Sequence, residues 1–119
     1  MNSPAPATAA FDLTGRLALI TGSSAGIGFA LARGLAQAGA TIVLNARSQD
    51  KLEAAARTLR GEGATVHVKA FDVTDAKAVS AAVDDIEKNI GAIDILINNA
   101  GMQRRGPLED FSVEHWHEL

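Results

Sequence analysis

The 119-residue chain contains no cysteine and no tyrosine, and a single tryptophan. Without cysteine there is no disulfide framework, no thiol nucleophile and no cysteine-ligated zinc. Without tyrosine there is no phenol to act as general acid or base. Long hydrophobic runs are missing too. The apolar stretches at 17–20, 42–44 and 95–97 are far shorter than a bilayer-crossing helix requires. A basic excess is also lacking, with 11 Lys and Arg against 14 Asp and Glu. The resulting net charge of −3 argues against non-specific nucleic-acid binding. Residues 1–10 hold neither a basic start nor an apolar stretch, so they do not read as a signal peptide. They read as a disordered tail, because Pro, Ala, Ser and Thr bury too little apolar surface to offset ordering. The expectation is one soluble, cytoplasmic domain over residues 11–119, with neither a membrane nor a nucleic-acid partner.

What is present alternates in period. Leu17 to Thr21 is a short apolar run ending at Thr21-Gly22, and reads as a buried strand. After Gly26, residues Ile27, Ala30, Leu31, Gly34, Leu35 and Ala38 fall at helical spacing, and Gly39 stops them. Thr41 to Asn45 is β-branched and predicts a second strand. Ser48 offers an N-cap hydroxyl to a helix striped by Leu52, Ala55, Ala56 and Leu59, which Gly61 and Gly63 close. Residues 64–71 predict a third strand. Asp75 then caps a helix striped by Val79, Ala82, Val83, Ile86 and Ile90, and Gly91 ends it. Residues 93–98 predict a fourth strand, and Ser112 opens a last helix. Strands and helices in this alternation predict an α/β fold built of βαβ units. The expected architecture is the first half of a Rossmann-like doubly wound parallel sheet, with strand order 3-2-1-4.

The motif that carries most chemistry is Thr21-Gly22-Ser23-Ser24-Ala25-Gly26-Ile27-Gly28. It stands between a buried strand and an amphipathic helix. Glycines there permit a tight turn and a close approach to a pyrophosphate, which the helix N-terminus then faces. The spacing is G-x-x-x-G-x-G, which differs from both G-x-G-x-x-G and the Walker loop. A glycine turn that merely packs strand on helix is the alternative.

The strand ends supply the other candidates. An NAD-using domain usually ends its second strand in an acid that accepts from the ribose hydroxyls. Here the segment is Asn45-Ala46-Arg47. A guanidinium pairs with a 2′-phosphate that a carboxylate would repel, so NADP is favoured over NAD. Asp72 is open to two readings, an acceptor from an adenine amino group or a turn aspartate. In Asn98-Asn99-Ala100-Gly101, paired amides at a strand end suit tying strand four to its neighbours and lining a cleft. Arg104 and Arg105 follow, where open α/β sheets bind ligands. They are expected either to grip a substrate carboxylate or to form a solvated basic turn.

Together the glycine turn, Asp72 and the Asn98–Gly101 segment resemble the short-chain dehydrogenase/reductase family over residues 11–119. The segments Phe11-Asp12-Leu13-Thr14-Gly15 and Gly101-Met102-Gln103-Arg104-Arg105-Gly106-Pro107, with Phe111 and Trp116, further resemble its gluconate 5-dehydrogenase subgroup. That resemblance implies reversible hydride transfer between a nicotinamide cofactor and a small polyol or aldonate, in enzymes that are homo-oligomers. It places Gly22, Ser23, Ser24, Gly26, Ile27 and Gly28 at the pyrophosphate and nearby ribose. Asn45 and Arg47 fall at the adenosine ribose, Asp72 and Val73 at the adenine, and Asn99, Ala100 and Gly101 on the cleft floor. Family members that use NADP often carry a basic residue just before the second glycine, where this chain has Ala25.

The same resemblance implies a catalytic Ser, a Tyr-x-x-x-Lys pair and a relay Asn, all of which would lie beyond Leu119. No catalytic residue is therefore assigned, and the chain is expected to bind cofactor without turnover, as the N-terminal part of a longer enzyme. A non-catalytic nucleotide-binding or interaction module is the alternative, as is a 3-oxoacyl or other sugar reductase of the same family. No metal site is expected. The isolated chain is expected to be poorly stable, because strand four lacks its next neighbour.

Overall fold

Four residues, Leu17–Ile20, form β1, and all four side chains are buried. Both faces of a central parallel strand are covered, so apolar side chains on either side of it reach the core. The computed structural model describes residues 12–102. In it β1 pairs in parallel with β2 (Thr41–Ala46) and with β4 (Ile95–Ile97), while β3 (Val66–Ala70) lies outside β2. The order is β3-β2-β1-β4, as the alternation predicts. Leu19 stands level with Val43 on one side and Leu96 on the other.

Helices α1 (Gly26–Gln37), α2 (Gln49–Gly61) and α3 (Ala76–Asn89) connect these strands, and a short α4 (Asn99–Met102) follows β4. The predicted caps form. Ser48 Oγ accepts from the Lys51 N–H, and Asp75 Oδ1 accepts from the N–H groups of Lys77 and Ala78. Each satisfies a donor that the first turn of a helix leaves unpaired. The core divides by the twofold period of β1. Ala18 and Ile20 pack with Ile42, Leu44, Ala32, Leu52 and Leu59 on the face covered by α1 and α2. Leu17 and Leu19 pack with Val43 and Ile86 on the face covered by α3. Arg33 donates two hydrogen bonds to the Glu62 carboxylate, at 3.0 and 2.8 Å, which links α1 to the end of α2.

Two details depart from the sequence reading. The first is the phase of α1. Ile27 is 66% exposed, Leu31 36%, and Ala30 and Gly34 also face outward. The face turned to the sheet carries Gly28 and Ala32, with Leu35 and Ala36 half-buried. Small residues four apart let a helix lie close to a sheet, and proximity has replaced side-chain bulk as the packing principle. The second is Ile90. It is the C-cap of α3 and is 36% exposed, so the buried stripe ends at Ile86. Strand ends move inward by one or two residues, except that β2 gains Ala46. The expected tail at 1–10, the helix opened by Ser112, and Arg104 and Arg105 lie outside the described residues. No helix among the described residues is long and apolar enough to cross a membrane.

Lys69 on β3 donates to the Asp85 carboxylate on α3. This hydrogen bond holds the Asp85 carboxyl below the usual carboxylate range. A lowered acid stabilises the folded state above its unfolded-state pKa, and the contribution fades as pH falls through the folded value. Asp85→Asn is therefore expected to lower the melting temperature at neutral pH and to converge with the parent in acid, measured by circular dichroism across pH. Packing supplies a sharper contrast. Leu52→Ala should cost about 2–5 kcal/mol in urea unfolding, whereas Leu31→Glu should change stability by no more than about 0.5 kcal/mol. Equal losses would place Leu31 in the core and contradict the phase of α1.

Candidate functional site

At the carboxyl end of β1 the chain turns through Gly22, whose φ of 59° lies in the left-handed region that favours glycine. A Cβ at Gly22 would also meet Ala100 at 3.1 Å. Gly28 is tighter still. A Cβ there would lie 2.3 Å from the Gly22 carbonyl oxygen and 2.6 Å from Asn99 Nδ2. Hydrogen at these two positions is what lets α1 begin directly against the strand end. No side chain caps α1, and its first turn carries no acid, whereas α2 and α3 are both capped. Among the described residues, the positive end of that helix thus opens without an anion capping it, in the arrangement that suits a phosphate.

Buried polar groups brace the turn from behind. Ser23 Oγ donates to the Ile20 carbonyl at 2.6 Å and accepts from the Asn45 N–H at 2.9 Å. The Ser23 N–H donates to the Asn45 carbonyl at 2.7 Å. From the far side, Asn99 Nδ2 donates to the Gly22 carbonyl at 2.9 Å, and the Ala100 N–H donates to Thr21 Oγ1 at 3.1 Å. Thr21, Ser23, Asn45 and Asn99 are all buried, and each has partners, as buried polar groups require.

Asn45 is expected at the adenosine ribose. It borders the cleft, but its side chain is committed to the protein. Oδ1 accepts from the Gly22 N–H at 3.2 Å, and Nδ2 donates to the carbonyls of Lys69 and Phe71, both at 3.1 Å. An amide with both of its protons placed has no donor left for a ligand.

These walls enclose an open cleft of about 700 Å³ along the carboxyl edge of the sheet. Of the expected residues, Gly22, Ser24, Asn45 and Arg47 line its β1–β2 side, and Asp72, Val73 and Ala100 line the rest. Ser23, Gly28 and Asn99 stand behind the surface and shape it. Gly26 and Ile27 lie on the first turn of α1, and Gly101 lies in α4. Asp72 stands in the turn that one of its two readings expects. Its Oδ1 accepts from the Thr74 N–H and hydroxyl at 2.9 and 2.7 Å, forming a turn, and the residue also faces the cleft. Lys51 and Ser48 line the cleft as well, and the sequence reading does not single them out for it. The signal is there, since a residue in the first turn after the Ser48 cap must sit near the end of β2. Lys51 and Arg47 give this end of the cleft two exposed cations.

Residues 16–119 match the short chain dehydrogenase family. Gluconate 5-dehydrogenase from Gluconobacter oxydans is 51% identical over 109 residues, covering 92% of this chain and 43% of that enzyme. The crystal structure of a gluconate 5-dehydrogenase from Burkholderia cenocepacia, in complex with NADP and tartrate, aligns with a TM-score of 0.76 at 53% identity. That alignment covers 95% of this chain and 44% of the other. L-sorbose reductase from Gluconobacter frateurii, complexed with NADPH and L-sorbose, aligns with a TM-score of 0.73 at 41% identity, covering 91% of this chain and 41% of that one. The chain thus spans less than half the length of these relatives.

Two of the three glycines of α1, Gly28 and Gly34, give a direct test of the close approach. A methyl group added at Gly34 would meet nothing within 4 Å, whereas Gly28 has no room for one. Gly34→Ala should stabilise the chain by about 0.5–1 kcal/mol. Gly28→Ala should destabilise it by about 1–3 kcal/mol through overpacking. Chemical denaturation of both variants measures the contrast, and a neutral Gly28→Ala would mean that α1 does not need this approach.

Proposed function

Because this chain belongs to the short-chain dehydrogenase family, we propose that its 119 residues form the nucleotide-binding part of an NADP-dependent oxidoreductase of gluconate 5-dehydrogenase type. The observation that carries the cofactor assignment is the cationic end of the cleft, where Arg47 and Lys51 flank Ser48 beyond β2. A 2′-phosphate there gains charge-assisted hydrogen bonds, which the two hydroxyls of NAD cannot match in strength. Its relatives in complex with NADP and NADPH support the same choice.

Each wall then has a task. The uncapped start of α1 and the turn at Gly22 and Ser24 receive the pyrophosphate. Asp72 and Val73 border the adenine, and Ala100 with Gly101 forms the floor toward the nicotinamide. A bound nicotinamide supplies the acceptor for a hydride leaving the carbinol carbon of the substrate. The proton leaving the carbinol oxygen needs a positioned base, and the phenol that the family resemblance implies is not among these 119 residues. The chain's share of the relatives' length supports reading it as part of a longer enzyme. Arg104 and Arg105, outside the described residues, are assigned to the carboxylate of an aldonate substrate. The 51% identity to a gluconate 5-dehydrogenase supports that substrate class.

Calorimetric titration tests the cofactor assignment. The chain should bind NADP at least about tenfold more tightly than NAD, a difference of about 1.4 kcal/mol. Arg47→Ala and Lys51→Ala should each reduce that ratio while leaving the NAD affinity nearly unchanged. Gluconate with NADP should give no turnover with the 119-residue chain. Equal affinity for the two nucleotides would reverse the cofactor assignment, and turnover would show that the proton is handled by a residue within this chain.

A further inference from the structure

Asn45 stands where a sequence rule would seek a ribose contact, yet its carboxamide joins three segments of backbone. It is 1% exposed. Its oxygen takes the Gly22 N–H at the pyrophosphate turn, and its nitrogen gives one proton to each of the carbonyls of Lys69 and Phe71 at the end of β3. One planar group therefore spans from the turn after β1 to the segment entering Asp72. These are the opposite walls of the cleft.

We propose that Asn45 is a positioning residue. Its amide aims the Gly22 turn at the pyrophosphate by fixing that turn to the end of β3, and it keeps the end of β2 closed to a carboxylate. This inference rests on the nucleotide-binding reading of the cleft and adds to it a device that couples the two walls.

The chemistry is asymmetric. Aspartate has nearly the shape of asparagine but carries no donor when ionised. At position 45 it would direct an oxygen at two carbonyl oxygens that now receive protons. Leucine, of similar size, would withdraw the amide from the Gly22 N–H and from the carbonyls of Lys69 and Phe71 without adding repulsion. The adenosine wall has its own support. Ala46 pairs with Ala70 in the β2–β3 ladder, and the Phe71 N–H donates to the Ala46 carbonyl at 3.2 Å. The Gly22 N–H, by contrast, is bonded to the Asn45 side chain. Loss of the amide therefore falls on the pyrophosphate side of the cleft. A simpler rule, that an acid ending β2 recruits ribose hydroxyls, predicts the reverse outcome for Asp.

The test uses the whole 119-residue chain with NADP, NAD and adenosine 2′,5′-bisphosphate as titrants. Amide hydrogen exchange at Gly22 is read by NMR without nucleotide. Asn45→Leu and Asn45→Asp should weaken NADP by about tenfold or more, with Asp the worse, for loss of the hydrogen bonds that the amide makes. Both should hold adenosine 2′,5′-bisphosphate within about threefold of the parent, because that ligand lacks the bridging pyrophosphate. Neither variant should gain affinity for NAD. The Gly22 amide should be protected in the parent and exchange faster in Asn45→Leu, while the amides of Leu19 and Val43 stay protected.

Equal losses for both ligands would reduce Asn45 to a fold-stability role and overturn the proposal. A gain in NAD affinity by Asn45→Asp would also overturn it. If neither variant folds, the parent decides, since an unprotected Gly22 amide would mean that the bond to Asn45 does not hold the turn. Failure of the parent to bind NADP would overturn the nucleotide reading, and with it the proposal for the cleft. Protection of the Gly22 amide would still separate that failure from an error about Asn45.

Discussion

Helix α1 comes so near the end of β1 at Gly28 that a single methyl group would strike the Gly22 carbonyl. Everything at the carboxyl edge of the sheet depends on that approach. It sets the uncapped first turn of α1 beside the turn after β1. It also places Asn99 Nδ2 within reach of the Gly22 carbonyl, which draws α4 and the end of β4 into the same assembly. A close helix needs a face without bulk, and Gly28 and Ala32 provide it. Two of the larger apolar side chains of α1, Ile27 and Leu31, are left on its outer side, while Phe29 and Leu35 pack at the edge of the core.

That last feature explains where sequence reasoning succeeds and where it fails. Strands and capped helices are legible because their signals are local and chemically distinct. Ser48 and Asp75 form the caps their positions imply, and Leu52, Ala55, Ala56 and Leu59 are the buried stripe of α2. The phase of α1 is illegible because bulk ordinarily marks the buried face. In a helix seated this close, the buried mark is smallness, and Ala and Gly on both faces blur the pattern. Ile90 follows the period of α3 one step too far, since the helix ends at Asn89 and the next residue turns out into solvent.

The candidate site is legible in outline for a similar reason. Glycines at fixed spacing report a backbone geometry, and geometry survives translation from sequence to structure well. Side-chain roles survive it less well. Asn45 and Arg47 are two residues apart and read alike as ribose contacts, yet one is buried and fully engaged while the other is exposed on the cleft. Nothing in the linear pattern distinguishes an amide that meets a ligand from one that spans three backbone segments. The carbonyls it serves lie 24 and 26 residues away, and their nearness is known only once β3 is placed. Lys51 escapes notice because its neighbours suggest an ordinary helix start, and its nearness to the cleft follows from the bend at Arg47 between β2 and α2.

The bonds that complete the cleft floor join residues far apart in the chain. Asn99 meets Gly22 across 77 positions, and Ala100 meets Thr21 across 79. Pairings at such separation close large loops and form slowly compared with local helices. During synthesis β1, β2 and β3 have their partners well before Asn99 leaves the ribosome. A nascent chain can therefore assemble three strands and two crossovers while the turn after β1 still lacks the amide that holds it from the β4 side. Completion of the cleft is then a late event in the life of the molecule, set by the arrival of one short helix rather than by the glycine motif that announces it.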